Sequence, residues 1–404
     1  MSIEVRRIEQ GEVRPWLATM AANFFQRPPE RHVEWWERRI EPGRTWAAVE
    51  GARVVGTLRS FLLEITVPGP AAVPACAVTN VTVSPTHRRR GLLNEMLRAE
   101  LAASVEREEP LSILIASEWP IYGRYGYGVA TESATYEVDS RRARFLAPRR
   151  GSVELVDGDV LCKVAPPIYD RYRLARPGAI SRRDWWWERL RIADAPGSDE
   201  PLLRHALYRG ESGEADGFAS YHVKNNWVAG ESLARVAVRD FVAATSEAWL
   251  QLWRFCCSID LAVEVHADRP VDEPLSLVLE DGRAARQAHR HDFVWARPLD
   301  VPTALTRRSY LGEGSVVVAV ADPLGYAAGT YRLEAGPDGA SCSRTSESPE
   351  LSLGVDSLGS LYLGGVAAPA LALAGRIDEH RPGALETASR LFATPRPPWC
   401  ATSF

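Results

Sequence analysis

The chain has 404 residues, of which 46% are hydrophobic and 25% charged, so its composition is that of a globular protein with two or three domains. The formal net charge of -4 excludes a protein that binds polyanions over its whole surface, and any basic cluster must be judged locally. No apolar run approaches the length of about 18 residues that is typical of a membrane-spanning helix.

The start of the chain and the cysteines indicate the compartment. The first residues contain no apolar signal segment, and the six cysteines form no C-x-x-C pair. We therefore expect a cytoplasmic protein with reduced, structural thiols and without a membrane partner. His289 and His291 are the most closely spaced histidines, but this pattern is more typical of surface residues, so no metal is expected.

Strand and helix signals alternate over residues 1–130. Residues 45–69 have the pattern of a hairpin, and residues 77–85 that of a β-branched strand ended by proline. After Gly91 the apolar residues recur at helical spacing, and residues 111–117 form a short apolar strand. A strand, a helix and a strand in this order predict a parallel crossover, with a ligand crevice beyond the carboxyl ends of the strands.

The same order of signals returns, more weakly, after about residue 154. It predicts a second copy of the first domain, with a helix that follows residues 243–245. Where the first copy has SPTHRRRGLLNEM, the second has AATSEAWLQLW, which contains neither an arginine run nor a glycine. If the arginines bind a ligand, the second copy has lost that site.

Beyond about residue 299 the pattern predicts an antiparallel meander and two helical stretches that flank SLGSLYLGG. The chain ends in a proline-rich segment that is predicted to be extended. The fold class predicted for the whole chain is α/β in two tandem domains, followed by an α+β third domain. The expected boundaries are residues 1–150, 151–295 and 296–404.

Three consecutive arginines and Gly91 stand between the predicted strand and the predicted helix. Glycine permits close backbone approach, the first helical turn has free N–H groups, and arginines add charge-assisted hydrogen bonds. This arrangement is typical of an anion-binding loop. A nucleic-acid patch is the alternative, but net acidity and the lack of interleaved basic and aromatic residues argue against a nucleic-acid partner.

The loop resembles the pyrophosphate loop of the GCN5-related N-acetyltransferase (GNAT) family, [Q/R]-x-x-G-x-[G/A]. Residues 88–93 here read Arg-Arg-Arg-Gly-Leu-Leu, so Leu93 departs from the small residue of the pattern. A second motif of the family, Tyr-x-x-x-Gly-aromatic, is present at Tyr122, Gly126 and Tyr127. Because both motifs lie on the expected elements, the first domain is identified as a GNAT domain.

Over essentially its full length the chain resembles the enhanced intracellular survival (Eis) acyltransferases. The resemblance implies tandem GNAT-like domains, the second degenerate, and a third domain similar to sterol carrier protein. It implies acetyl-CoA as co-substrate, a homo-oligomer that is a hexamer, and acetylation of cationic amines. These acceptors are aminoglycosides, at more than one position, or lysine side chains. The alternative is a non-catalytic or lipid-binding protein that uses the third domain.

The motif positions imply the catalytic groups. Tyr122 would be the general acid, with Tyr125 and Tyr127 as alternatives, and the terminal carboxylate of Phe404 would be the base or substrate anchor. A backbone N–H around residues 83–84 is expected to stabilise the developing negative charge.

The resemblance also implies the binding residues. Three aromatic residues of the first helical segments, Phe24, Trp35 and Trp36, are candidates for the acceptor pocket, although core packing is equally expected of each. The acetyl-CoA contacts implied by motif position are Val81, Thr82, Val83, Arg89, Arg90, Gly91, Leu92, Leu93, Asn94, Ser117 and Glu118.

Overall fold

The computed structural model describes residues 2–28, 30–69, 71–193 and 202–404. No helix in these ranges is long and apolar enough to cross a membrane. The helices are α1 Val13–Asn23, α2 Glu30–Glu37, α3 Leu92–Glu106, α4 Trp119–Tyr122, α5 Gly158–Leu174, α6 Asp184–Ala193, α7 Ser246–Cys257, α8 Val301–Thr306, α9 Val355–Tyr362, α10 Ala368–Leu373 and α11 Ala384–Phe392.

The strands within these ranges form three large sheets and one short ribbon. They are β1 Ile3–Arg7, β2 Thr45–Glu50, β3 Arg53–Val67, β4 Ala71–Val83, β5 Leu111–Ile115, β6 Gly128–Val129, β7 Glu132–Asp139, β8 Ser152–Val156, β9 Arg204–Arg209, β10 Ala215–Lys224, β11 Trp227–Val228, β12 Glu231–Ser232, β13 Ala234–Ala243, β14 Ala262–Arg269, β15 Ala285–Asp292, β16 Val294–Pro298, β17 Gly314–Ala321, β18 Gly329–Gly336, β19 Gly339–Arg344, β20 Leu351–Gly354 and β21 Ile377–Glu379.

The first sheet has the order β1-β2-β3-β4-β5-β16-β6. Its central pair, β4 and β5, is parallel and is connected through α3, which confirms the predicted crossover. The pairing runs from Ala75 and Leu111 to Val78 and Leu114 and stops there, although β4 continues to Val83. The two strands therefore separate at their carboxyl ends and leave an opening in the sheet.

The second sheet has the order β15-β7-β14-β13-β10-β9-β8 and repeats this plan, with β13 and β14 parallel and α7 between them. The two sheets exchange strands. β7 precedes the second copy in the sequence but lies in its sheet, whereas β16 follows the second copy and lies between β5 and β6 of the first. Neither unit is therefore a contiguous stretch of chain, which the predicted boundaries at 150 and 295 did not anticipate.

The third sheet, with the order β19-β18-β17-β20-β21, forms the third domain together with its helices. Helix α9, which contains most of the SLGSLYLGG segment, packs directly on the first sheet. A Cβ atom at Gly128 would lie 1.8 Å from the Asp356 carbonyl oxygen, and one at Gly359 would lie 2.2 Å from that of Ala296. Glycines on both sides, Gly359 of the helix and Gly128 of the sheet, thus permit close contact between the two.

A buried ion pair also joins the first sheet to the third domain. Arg297 on β16 donates from Nη2 to both carboxylate oxygens of Asp322, each at 2.9 Å, and from Nε to the Tyr125 carbonyl at 2.6 Å. Both charged side chains are fully buried. Asp322 also accepts hydrogen bonds from the backbone N–H groups of Leu324 and Ala327, so its carboxylate is well compensated.

We expect Arg297→Met to destabilise the protein by roughly 3–5 kcal/mol, because it leaves the carboxylate of Asp322 buried without its counter-charge. Urea denaturation measures the loss. The double variant Arg297→Met with Asp322→Leu should recover much of it, since no charge then remains buried. A single variant that unfolds at the wild-type midpoint would contradict this account. Arg332→Met, which removes a partly exposed arginine, is the matched control and should change stability little.

Candidate active site

The opening between β4 and β5 forms a cleft of about 380 Å³. Its walls come from distant parts of the sequence: the middle of β3, the end of β4, helix α1 and the loop after it, α2, α4 and the C-terminus. The lining residues used below are Phe24, Trp36, Arg59, Thr79, Asn80, Val81, Ser117, Tyr122 and Phe404.

A bulge in β4 shapes one wall of the cleft. The register of β3 against β4 shifts between Thr57 and Arg59, so Asn80 and Val81 have no opposite residue in the pairing. Asn80 has a positive φ of 53°, and its carbonyl oxygen accepts a hydrogen bond from the Thr57 hydroxyl at 2.8 Å. A bulge of this kind redirects the backbone toward a ligand.

The bulge changes which backbone N–H can stabilise the negative charge that develops on the thioester oxygen. The N–H of Ser84 donates to the Val55 carbonyl at 2.8 Å, and Val83 pairs with Gly56 in the sheet. The prediction of a donor around residues 83–84 is therefore wrong for Ser84, because that N–H is already used. The backbone at Val81, which lines the cleft beside the interrupted pairing, is better placed.

The arginine loop connects β4 to α3. Gly91 is the N-cap of α3 and has a φ of 82°. A Cβ atom at this position would have no neighbour within 4 Å. A side chain would therefore fit here, and glycine is required because of the positive φ. Arg89 also has a positive φ, of 62°. The first bond within the helix runs from Glu95 N to Gly91 O, so Leu92 to Asn94 precede it and present N–H groups without helical acceptors.

Several of the predicted acetyl-CoA residues lie around this loop in a form that fits an anionic group. The side chains of Arg88, Arg89 and Arg90 are exposed, and Arg90 makes a single long contact, 3.4 Å to the Thr86 carbonyl. Leu92 and Leu93 pack into the core beneath the loop, which leaves their backbone for a ligand. Asn94 is exposed on the first turn of α3.

The other predicted acetyl-CoA residues differ in whether they can reach a ligand in the cleft. The Thr82 hydroxyl is engaged with Thr57 at 2.7 Å and with Asn23 at 2.9 Å, so only its backbone remains. Ser117 lines the cleft, whereas the exposed Glu118 is the N-cap of α4 and does not.

Tyr122 lines the cleft and is 4% exposed. Burial raises its pKa to about 12, with the nearby Glu118 and Tyr125 adding to the rise and a hydrogen bond with Ser117 opposing it. The phenol is therefore protonated at neutral pH and can donate a proton. Because Tyr122 lines the cleft, it has access to whatever occupies it.

The two alternative tyrosines are placed differently. The Tyr127 hydroxyl is fully buried and hydrogen-bonded to the Ser112 hydroxyl at 2.6 Å. Tyr125 is also buried, and its carbonyl oxygen is bound by Arg297. Neither side chain lines the cleft. The geometry therefore favours Tyr122 among the three candidates.

The C-terminus forms another wall of the cleft. Ser403 and Phe404 both line it, and the Thr79 hydroxyl donates to one oxygen of the Phe404 terminal carboxylate at 3.2 Å. The Phe404 ring meets that of Phe61 edge-on, with 6.1 Å between the centroids. The last residue of the chain thus lies beside the open end of β4.

The second domain holds this terminal segment in place. The Thr402 hydroxyl accepts a hydrogen bond from Arg182 Nε at 2.8 Å and is bonded to the Tyr169 hydroxyl at 2.9 Å. Arg182 in turn donates to both carboxylate oxygens of Asp240. Trp399 is buried, and its backbone N–H donates to the Pro177 carbonyl at 2.8 Å. The degenerate copy therefore contributes to the site by positioning the tail.

The aromatic candidates divide into two groups. Phe24 and Trp36 line the cleft. Trp35 does not: it is 7% exposed, its indole N–H donates to Glu188 at 3.2 Å, and its ring packs against Trp185 with 6.0 Å between centroids. Core packing, the other expectation for Trp35, is what the structure shows.

Sequence reasoning missed Arg59, which also lines the cleft. The signal was present as one arginine in the middle of the mostly apolar run VVGTLRSFLL of β3. A charged residue in the interior of a long buried strand is unusual enough to indicate a functional position.

Helix α7 of the second domain, which corresponds to α3, has a different N-cap residue. The N-cap of α7 is Thr245, whose hydroxyl accepts a hydrogen bond from Ala248 N at 3.2 Å. The helix start therefore satisfies one of its own N–H groups, whereas Gly91 has no side chain with which to do so. Together with the missing arginines, this predicts a single acetyl-CoA site per chain.

We expect the double variant Arg89→Ala with Arg90→Ala to weaken acetyl-CoA binding about tenfold or more, because it removes two charged donors from the loop. Calorimetry on the wild-type protein should give one site per chain. Arg141→Ala, which removes another exposed arginine far from the loop in sequence, is the control and should bind as the wild type does. Two equivalent sites per chain, or unchanged affinity in the double variant, would contradict the assignment.

Comparison with known proteins agrees with these features. Residues 4–130 and 178–298 each match an acetyltransferase (GNAT) domain family, and residues 301–401 match the sterol carrier protein domain family. An uncharacterized N-acetyltransferase of Streptomyces avermitilis is 40% identical over 100% of this chain and 99% of its own length.

Relatives with the Eis name are similar over most or all of the chain. The N-acetyltransferase Eis of Mycobacterium tuberculosis is 36% identical over 88% of this chain and 87% of its own. The crystal structure of Eis1 from Mycobacterium abscessus superimposes with a TM-score of 0.87 and 31% identity, covering 100% of both chains. With two GNAT domains, a sterol carrier protein domain and these relatives, the chain belongs to the Eis family of GNAT N-acetyltransferases.

Proposed function

We propose that this N-acetyltransferase acetylates a primary amine bound in the cleft, with Tyr122 as general acid and the Phe404 carboxylate as base or anchor. The observation that carries the proposal is that one cleft, beside the strand opening, contains both groups. The arginine loop at the start of α3 would hold the pyrophosphate of acetyl-CoA. From the family resemblance we further propose a cytoplasmic homo-oligomer, a hexamer.

The reaction follows from these positions. The neutral amine attacks the thioester carbon, so that a C–N bond forms and the C–S bond breaks. The backbone at Val81 donates to the carbonyl oxygen as negative charge develops there. The amine proton passes to the Phe404 carboxylate, directly or through water, and Tyr122 donates its proton to the departing thiolate.

The proposed acceptors are aminoglycosides, at more than one position, and lysine side chains. The terminal carboxylate attracts an ammonium group by its charge. The ring of Phe24, which lines the cleft, adds cation–π attraction, worth about 0.5–2 kcal/mol where the cation is desolvated.

The alternative function, lipid binding by the third domain, has less support. The apolar cavity of that domain, lined by residues such as Val318, Leu333 and Leu358, has a volume of about 10 Å³. This is roughly the space of one water molecule, so an acyl chain would need the core to open.

A mass-spectrometric screen tests the proposed function. A panel of amines, including aminoglycosides, a lysine peptide and amino acids, is incubated with acetyl-CoA and the full-length protein, and acetyl groups per molecule are counted. At least one amine should gain acetyl groups faster with the wild type than with Tyr122→Phe. If no amine is acetylated above the uncatalysed rate, the proposal fails.

A further inference from the structure

The cleft contains a buried charge, that of Arg59, for which the described residues provide neither a hydrogen-bond acceptor nor an ion-pair partner. Arg59 is 5% exposed, and its guanidinium lies over the rings of Trp36, at 4.6 Å, and Phe61, at 5.3 Å. Its buried Nε has no hydrogen-bond partner. Among the described residues, none accepts a hydrogen bond from this guanidinium, and no carboxylate, including that of Phe404, lies within ion-pair distance of it.

Other buried arginines among the described residues have hydrogen-bond acceptors. Arg297 pairs with Asp322, Arg182 with Asp240, and Arg269 with Glu273. Arg308 has no carboxylate partner but donates to the carbonyl oxygens of Tyr362 and Leu391. A buried charge with neither a counter-charge nor hydrogen-bond acceptors is costly, because desolvation is not repaid. This cost is accepted most readily where a ligand supplies the missing group.

The surroundings of Arg59 leave it positively charged. Burial lowers the pKa of Arg59 to about 10. The nearby carboxylate of Glu41 raises this pKa, and the positive charge of Arg183 lowers it further. Glu41 is itself bonded to Arg183 at 2.7 Å, so its carboxylate is already used. At neutral pH the guanidinium therefore remains protonated and carries donors that no described residue satisfies.

The charges that line the cleft have a defined pattern. Among the described lining residues there is no aspartate or glutamate, and Arg59 and the Phe404 carboxylate are the two charged groups. They are near each other, because Arg59 pairs with Thr79 across the strands and Thr79 bonds to Phe404. A polycation would bring one of its positive charges close to Arg59, whereas a ligand with one positive and one negative group would satisfy both.

Given the acetyltransferase activity proposed above, we infer that the acceptor is zwitterionic: a primary amine that also carries a carboxylate, which Arg59 binds. The planar guanidinium can donate two parallel hydrogen bonds to a carboxylate. The Phe404 carboxylate then attracts the amine end. Among the acceptors above, this favours a lysine with a free carboxylate over an aminoglycoside.

Matched pairs of acceptors test the inference. β-Alanine, γ-aminobutyrate and ε-aminocaproate are each compared with the corresponding neutral amide, because the pairs differ in the carboxylate and the series varies its distance from the amine. For the best acid, kcat/KM in the wild type should exceed that of its amide at least about tenfold, the size expected of a charged hydrogen bond.

Variants then assign the preference to Arg59. In Arg59→Gln the ratio of acid to amide should fall to about one while acetyl-CoA affinity is unchanged, and Arg59→Lys should keep part of it. Arg173→Gln, which removes a paired arginine outside the cleft lining, is the control and should keep the wild-type ratio.

The outcomes separate the two proposals. A wild-type enzyme that acetylates the amides as well as the acids overturns the zwitterionic acceptor, and this result does not depend on any variant folding. The zwitterionic acceptor is also overturned if Arg59→Gln lowers kcat/KM equally for the acids and the amides, since Arg59 would then act by positioning Phe404. If neither the acids nor the amides are acetylated while an aminoglycoside is, the zwitterionic acceptor is overturned. If no amine is acetylated in either experiment, the proposed function fails instead.

Discussion

Tyr122→Phe should lower kcat by about 10²–10⁴ and leave acetyl-CoA affinity unchanged, because protonation of the leaving thiolate occurs only in the transition state. The phenyl ring keeps the packing of a side chain that is 4% exposed, so the fold should be retained. Steady-state kinetics with calorimetry of acetyl-CoA binding separates the two effects. Tyr125→Phe, in the same segment but outside the cleft lining, is the matched control and should keep kcat.

The pH dependence provides a second readout for Tyr122. Because burial raises its pKa to about 12, the phenol remains protonated throughout the working range. The rate should therefore rise with pH as the amine loses its proton, without a descending limb from Tyr122 below a pH of about 12.

An unchanged kcat in Tyr122→Phe would contradict the mutant prediction and assign the acid role to another tyrosine or to solvent.

Moving the terminal carboxylate should abolish most acetylation. Adding one glycine after Phe404 displaces the carboxylate by up to about 3.8 Å, which is enough to lose a hydrogen bond with the bound amine. Thr402 keeps its bonds to Arg182 and Tyr169, so the tail should remain docked. A loss of at least about 10² in kcat/KM is expected, in line with the cost of small misplacements in an active site.

A larger change at the C-terminus has the same expected result. Deleting Thr402 to Phe404, or adding a C-terminal tag, should also abolish acetylation without unfolding the protein, because the pair of Arg182 and Asp240 is left in place. The same tag at the N-terminus is the control. Full activity in a C-terminally tagged protein would show that the carboxylate has no role in catalysis.

The family and the local parts of the site could be read from the sequence, because they depend on short stretches of chain. The arginine loop needs a glycine at the helix start, and Gly91 takes the positive φ that this position requires. The parallel crossover through α3 follows from apolar periodicity. The loss of the loop in the second copy was visible in the same way, as a threonine cap in place of glycine.

The assembly of the cleft could not be read in this way, because its contacts connect residues far apart in sequence. Thr79 and Phe404 are 325 positions apart, and no periodicity or motif near either one encodes their contact. The exchange of β7 and β16 between the two sheets is also set by packing over long separations. Whether Arg59 has a partner depends on every side chain that folds around it.

The sequence by itself therefore determined the family, the three-domain plan and the anion-binding loop, since local backbone preferences and hydrophobic patterns specify them. Only the tertiary structure decided which tyrosine faces the cleft, that Trp35 belongs to the core, and that the degenerate domain holds the C-terminal tail. The same folding left Arg59 buried without a counter-charge. Burial and pairing are properties of surroundings that form only when distant segments meet.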